Sequence, residues 1–505
     1  MDRKKGVKNI LWGVGAELLV VAVGIIVPRL VLTRLGSEAN GLLNSISTVL
    51  TYLSLLEAGV GTASVQALYR PIADGDRASI SRIMSATDHY YRRTGRIYFT
   101  AVVVFSLGYP FLVRSELPRL HVFLAILLSG LSGVLNYFFQ GKFKILLTAE
   151  GKKYVIKNIT TAISVATSIC KALTLAAGGD IIAVQSVFFA LNLVQMLVFV
   201  LYMRRNYSWV NYRDTPDLEA VAKRKAVLVH QISGLIFNHT DVLVLTALTS
   251  LKEVSVYTMY ALIFGMVKAV VVVITGSFTY ALGQSFHDRP RFDRIYNACE
   301  TYSLAIAGAL FCIANVLTLP FLRLYTAGVT DVNYIDGKLL WLFVAFYLLH
   351  NGRAPSNHVI NIAQKFEETK RRSILESAIN VTSSIVLTYY LGIYGVVLGT
   401  ILALLYRTND MIIYASGLLQ RTPLITYRRW ITNIVLLVAV SLLCGALPIA
   451  ADTYPKLVLY GVVLCAVVIP LFLAVNSLLE PEVAKYAIGI GKQMIRAQLR
   501  GGPTA

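Results

Sequence analysis

Apolar residues in this chain come in blocks of about twenty, one after another along its length. A helix rises about 1.5 Å per residue, so ~20 residues cross the ~30 Å hydrocarbon core of a bilayer. Inside lipid every backbone N–H and C=O needs a partner within the spanning structure, and a helix supplies them all. Fourteen such blocks run approximately over 10–33, 41–68, 97–113, 120–147, 155–177, 181–203, 226–249, 254–283, 298–322, 336–360, 374–393, 394–419, 430–450 and 457–479. Only 15% of the 505 residues are charged and 56% are hydrophobic, against ~25% charged in soluble domains. That balance excludes a soluble globular enzyme, a disordered chain and a coiled coil. The expected fold class is all-α: a polytopic membrane protein with about 14 transmembrane helices.

The net charge of +20 would suggest a nucleic-acid partner in a soluble protein. Here the basic residues sit in short segments between apolar blocks, so a nucleic-acid partner is not expected. With the N-terminus placed in the cytoplasm and the spans alternating, 35 of the 47 Lys and Arg fall on the inner side and seven on the outer. The remaining five lie inside spans: Arg29, Lys171, Lys268, Arg353 and Arg407. This is the positive-inside pattern, with both termini cytoplasmic. The first block is too long for a signal-peptide core and lacks a small-residue cleavage site, so it reads as a retained helix. The five cysteines lie in apolar segments without CxxC spacing, so neither a disulfide framework nor a metal site is expected.

Outer loops are short, the longest running roughly over 323–337. No segment is large enough to form an extramembrane catalytic domain, so a transporter is expected rather than an enzyme, with no cofactor. Weak internal similarity points to two halves. Residues 32–45 resemble 245–259, and 147–164 resemble 361–380, both at offsets near 215. The expected organisation is an N-terminal six-helix lobe over 1–204, a cytoplasmic linker over 205–225 and a second six-helix lobe over 226–420. Two additional helices follow over 421–479, then a cytoplasmic amphipathic tail over 480–505 that lies against anionic lipids. Parallel repeats are common in transporters, with substrate bound where they meet.

A charge at bilayer mid-depth costs ~2.5–3.5 kcal/mol on insertion scales, so intramembrane charges are the functional candidates. Arg29 follows Pro28 deep in the first span, whereas Arg34 is near enough to the interface to snorkel. Lys268 lies mid-span within GMVKAVVVVI, far from either interface. Arg353 sits in HNGRAPSNHVIN, where Pro355 bends the helix and frees a backbone carbonyl. The acidic candidates are Glu57, Asp241 and Glu17, each either a charge-balancing partner or a coupling site for a proton or Na⁺. Arg407 and Asp410, three apart in YRTNDMIIY, are spaced for an ion pair within one helix, a structural role.

Several of these stretches resemble the bacterial repeat-unit flippases of O-antigen and capsular polysaccharide (Wzx type), of the multidrug/oligosaccharidyl-lipid/polysaccharide exporter superfamily. They are YLSLLEAGVGTASVQALYRPIA, FNHTDVLVL, HNGRAPSNHVINIAQKFEETKRRSI, YGVVLGTI and YRTNDMIIY. The resemblance implies a MATE-like pair of six-helix lobes around a central cavity, in the bacterial inner membrane. The implied cargo is a polyprenyl-pyrophosphate oligosaccharide moved to the outer leaflet. A surface-polysaccharide polymerase or glycosyltransferases, together with membrane lipids, are the implied partners. On this reading Arg29, Lys268 and Arg353 hold the pyrophosphate, since Arg bonds phosphate bidentately and Lys acts as a point charge. The membrane potential and a proton or Na⁺ are the expected driving forces. The competing expectations are a cation-coupled drug exporter, which favours acidic cavity residues, and a lipid II flippase.

Overall fold

The computed structural model describes residues 3–57, 60–113, 115–218, 239–445 and 451–489, with side chains from residue 24 onward except at 366 and 367. Regular structure among them is helical. The helices are α1 (Arg3–Leu53), α2 (Val60–Asp74), α3 (Arg77–Leu112), α4 (Arg119–Leu135), α5 (Gly141–Ala149), α6 (Lys153–Ala176) and α7 (Ile181–Asn206). After them come α8 (His239–Leu248), α9 (Leu251–Gly276), α10 (Phe278–Ser285), α11 (Arg289–Tyr325), α12 (Gly337–Gly352) and α13 (Ala354–Ile362). The last four are α14 (Phe366–Leu391), α15 (Ile393–Leu418), α16 (Leu424–Gly445) and α17 (Tyr454–Leu479).

Ten helices among the described residues are long and apolar enough to cross a membrane. The other four apolar blocks are accounted for locally. The first two run through α1 and α2, the seventh is described only over α8, and the tenth is divided into α12 and α13. By packing, the chain forms two compact units, one of residues 1–256 with 328–332, the other of 257–327 with 333–505. The break falls inside α9, past the expected linker. The first half of that linker is built into the first unit: Ser85 Oγ donates to the carbonyls of Tyr212 and Asp214 at 3.1 and 2.6 Å. Tyr207 and Val210 are buried there, while residues 219–225 lie outside the described residues.

In the first unit, α1 is two helices joined at Gly36, whose φ of 87° is a conformation L side chains rarely adopt. The second of them is capped from elsewhere in the chain. Ser37 donates through its backbone N–H and its hydroxyl to the two oxygens of Asp331, at 2.9 and 2.7 Å. A 3₁₀ turn over Ser54–Glu57 then separates α1 from α2, so the second span is broken beside Glu57. Between α4 and α5 the helix widens into a π-turn over Asn136–Gln140. Such single turns frequently mark functional positions.

In the second unit, α14 and α15 form a hairpin joined by one residue, Gly392, with φ 56°. Two more glycines let the helices touch through their backbones. A Cβ on Gly395 would lie 2.1 Å from the Leu387 carbonyl oxygen, and one on Gly399 2.5 Å from the Ser384 nitrogen. A small-xxx-small pair of this kind is a standard intramembrane packing device. Stacked rings of Tyr260, Phe264, Phe311, Phe343 and Tyr347 fill the core nearby.

The two units repeat one segment closely. Asp76, Arg77, Arg82, Ile83 and Ala86 correspond to Asp288, Arg289, Arg294, Ile295 and Ala298, each 212 residues later. The leading aspartates play the same part. Asp76 caps α3 by accepting from the Ser79 N–H at 3.0 Å, and Asp288 caps α11 by accepting from Arg291 at 3.2 Å. Each copy ends on a buried carboxylate, Asp88 or Glu300. Their cations come from different places. Asp88 accepts from Lys142 of α5 and Arg92, both at 2.6 Å. Glu300 accepts from Arg421 at 2.7 Å, from Thr426 at 2.9 Å and from Arg429. Arg429 also donates to Glu480, beyond α17, at 2.6 and 2.8 Å. The two C-terminal helices are thus fastened to the second unit by its repeat carboxylate.

Two outcomes check these contacts by thermal unfolding in detergent. Gly399→Leu should cost about 3 kcal/mol or more through backbone overpacking. The same change at Gly265, where a Cβ meets nothing within 4 Å, should cost far less. Glu300→Gln and Arg429→Gln should each cost about 3–5 kcal/mol as breaks in a buried pair, and the double variant less than their sum.

Candidate functional site

In the second unit the tenth span is interrupted where a charge sits. α12 ends at Gly352, Arg353 occupies the joint, and α13 begins with Pro355 in its first turn. A proline there forgoes an N–H that the first turn would leave unbonded. The joint places the Arg353 guanidinium against α14, where its Nη1 donates to Glu376 Oε1 at 2.5 Å. Arg353 and Glu376 are 14% and 10% exposed, so the pair is withdrawn from bulk solvent.

Glu376 begins a row that crosses to α15. Its Oε2 lies 3.4 Å from Arg407 Nε. Arg407 Nη1 donates to Asp410 Oδ2 at 2.6 Å and its Nη2 to Ser373 Oγ at 3.1 Å. Asp410 Oδ1 accepts from Arg372 Nη1 at 2.7 Å, and Arg372 stacks over the Tyr414 ring at 4.7 Å. The row therefore reads Arg353, Glu376, Arg407, Asp410, Arg372, with alternating sign. Exposure rises along α14 and α15 from 4% at Arg407 to 37% at Arg372. The pair expected of Arg407 and Asp410 is present, as one step of this longer structure.

Lys268 of α9 adds a further cation without adding an anion. The Arg353 charge acts on it directly, and both charges act on the His350 ring. Among the described residues Lys268 donates no hydrogen bond and forms no ion pair. Around Arg353 itself stand one carboxylate in contact, Glu376, and a second cation whose charge reaches it, Lys268. Like charges held together away from bulk water repel strongly, and an anion between them relieves the repulsion. The joint at Arg353 thus holds a guanidinium already paired with Glu376 and under the influence of a second cation.

The acidic candidates lie in the first unit. Glu57, at the break before α2, accepts from the Tyr91 hydroxyl, and the Lys144 charge acts on it. Lys144 Nζ donates to Asn136 Oδ1 at 2.8 Å, which ties it to the π-turn. The Tyr137 ring packs on Tyr98 and Tyr91, walling the carboxylate with aromatic surface. One turn on, Gln195 Nε2 donates to Gln140 Oε1 at 2.6 Å. Asp241 is buried on α8, beside Thr240, whose hydroxyl bonds Tyr52 at 2.9 Å. Arg29 is half-buried on α1 in this same unit, so it does not share a unit with Lys268 and Arg353. Glu17 falls in α1, but its side chain lies outside the described residues.

Several charged positions in these clusters escape a reading of the sequence. Glu376 stands at the edge of an apolar block and looks like the polar end of a helix. Lys142 and Lys144 look like orienting charges of a loop, yet both lie on α5 and bond inside the first unit. The signal for Glu376 was its spacing from Arg372, four residues back, which puts both on the face that meets Arg407 and Asp410.

Long apolar helices in two compact units, with broken spans carrying charges, define a multi-span membrane protein. Comparison with solved structures places it more closely. The chain is similar to the lipid II flippase MurJ in its inward closed conformation, with TM-score 0.70 and 12% identity over 93% of this chain and 99% of that one. It is similar to an inward-facing multidrug resistance MATE family transporter of the MOP superfamily, with TM-score 0.63 and 14% identity over 79% and 94%. A MATE structure in the bent conformation matches with TM-score 0.52 and 16% identity over 80% and 93%. No family model matches the chain, and no curated protein does. The fold is that of the MATE and MurJ transporters.

The row predicts unequal losses. Arg407→Ala leaves two buried carboxylates short of a cation and should cost about 3–5 kcal/mol. Arg372→Ala, at the exposed end, should cost ~1 kcal/mol or less. Thermal unfolding of the two purified variants compares them directly, and equal losses would mean that Arg407 does not organise the row.

Proposed function

We propose that this protein is a flippase that moves polyprenyl-pyrophosphate-linked oligosaccharide repeat units from the cytoplasmic to the outer leaflet of a bacterial inner membrane, for surface polysaccharide assembly. The observation that carries this reading is that Arg353, whose carboxylate partner is Glu376, also feels the charge of a second cation, Lys268. A pyrophosphate offers several oxygens and at least two negative charges, which suits an arginine fork and a lysine point charge. A cationic drug would meet repulsion at this place.

Under the proposal Lys268 and Arg353 hold the pyrophosphate, and Arg29 of the first unit is a separate proposed contact for an anion. The sugars sit among polar and aromatic side chains while the polyprenyl tail stays in lipid. With the cell interior negative, one charge crossing is worth ~2.3 kcal/mol per 100 mV, which drives an anionic cargo outward. The emptied cationic site is drawn back by the same field. Glu57, with Lys144 and Tyr91 around it, and Asp241 are the proposed positions for coupling to a proton or Na⁺, and Glu17 is a further one. The proposed partners are the enzymes that make and polymerise the repeat unit. A second reading, a lipid II flippase, is favoured by the similarity to MurJ over nearly the whole of both chains. That cargo also carries a pyrophosphate, so both readings use the same site.

The test is a flip assay in proteoliposomes, with and without an imposed potential. A polyprenyl-pyrophosphate oligosaccharide is supplied on one leaflet, and a membrane-impermeant glycosidase reads its exposure on the other. Exposure that depends on the protein and rises with potential is the expected result, and Lys268→Ala should lower its rate at least tenfold in correctly inserted protein. Export of a cationic dye, with no exposure of any glycan lipid, would replace the proposal with drug export.

A further inference from the structure

The row of charges contains one donor without an acceptor. Arg407 Nε is buried and makes no hydrogen bond. The nearest carboxylate oxygen, Glu376 Oε2, stands 3.4 Å away, long for a charge-assisted bond. Glu376 thus pairs with Arg407 through Oε2 at ion-pair distance while its Oε1 accepts from Arg353 at 2.5 Å. Arg407 is otherwise well supplied, by Asp410 at 2.6 Å and Ser373 at 3.1 Å. A buried unsatisfied donor is costly and needs an explanation.

We infer that Glu376 is a two-position counter-ion: it neutralises Arg353 when the anion site is empty, and closes onto Arg407 Nε when an anion takes Arg353. This rests on the anionic-cargo reading given above. In the empty state Arg353 keeps a partner, Lys268 remains uncompensated, and Arg407 Nε waits. When a pyrophosphate oxygen bonds Arg353, it also screens Lys268, and the released carboxylate gains the waiting donor. The exchange costs no buried charge its partner at either end, which matters where unpaired charges are expensive. Glu376 then sets a threshold. An anion must outcompete a carboxylate already seated on Arg353, so a single weak anion is rejected while a group that also engages Lys268 is accepted. The same carboxylate competes for Arg353 at release and so hastens departure of the cargo. Glu376 is a positioning and selectivity residue that touches the cargo's ligand, and the cargo itself need not touch it.

The experiment measures binding of inorganic pyrophosphate and inorganic phosphate to the full chain in nanodiscs, by calorimetry, for the parent, Glu376→Gln, Glu376→Asp and Lys268→Ala. Glu376→Gln should tighten pyrophosphate by about ten- to a hundredfold, the factor of one charge-assisted hydrogen bond no longer competing. It should also narrow the preference for pyrophosphate over phosphate and slow turnover in the flip assay. Glu376→Asp, which keeps the charge but shortens its reach, should tighten pyrophosphate by less, and it decides the matter if the Gln variant does not fold. Pyrophosphate binding that depends on Lys268 but is unchanged or weaker in the folded Glu376 variants would overturn the two-position role alone. Absence of pyrophosphate binding to the parent, with Lys268→Ala indistinguishable from it, would overturn the anion-site reading and this inference together.

Discussion

A charge withdrawn from water into an apolar surrounding must be matched by an opposite charge at bonding distance, and this requirement orders the whole molecule. Most buried ionic groups described here obey it in full. Asp88 sits between Lys142 and Arg92, Glu300 between Arg421 and Arg429, and Asp410 between Arg407 and Arg372. These clusters join helices distant in sequence, so they fix tertiary packing in a medium where apolar contact alone discriminates poorly. Against that background Lys268 stands out, because the charge that acts on it, that of Arg353, repels it.

Much of the fold could be read from the chain because the bilayer reduces the problem to lengths and polarities. The apolar blocks marked the helices, and the glycines at 392 and 395 marked the turn between α14 and α15. Where blocks and helices disagree, the cause is local. Gly36 lets one continuous hydrogen-bonded run bend into two spans, and Arg353 with Pro355 divides the tenth. The site was less legible. Arg353, Lys268, Arg407 and Asp410 were visible because each interrupts an apolar run. Glu376 and Lys144 were not, because each lies at the edge of an apolar block, where a charge is cheap and uninformative. What makes them matter is the partner across the packing interface, and sequence spacing within one helix does not reveal that partner.

The two compact units use the same chemistry to different ends. In the first, the carboxylate Glu57 lies beside a broken helix and a π-turn, walled by tyrosines and neighboured by one lysine. In the second, an arginine occupies the break and one carboxylate, Glu376, pairs with it. Both stand where a helix is interrupted. The first arrangement centres on a carboxylate and the second on an arginine.

The segment shared by α3 and α11 has a consequence for how such a chain came to exist. Arg77 and Arg82 in one copy and Arg289 and Arg294 in the other stand at matching places, just inside the start of a long helix. A unit with an even number of crossings returns the chain to the side on which it began. Were such a unit doubled in tandem, the second copy would insert in the same sense as the first, with matching arginines of its own. Such a duplication needs no rewiring of topology to be viable from its first generation. Divergence can then be confined to the partner of one inherited carboxylate: a lysine of the same bundle for Asp88, and an arginine of the appended helices for Glu300.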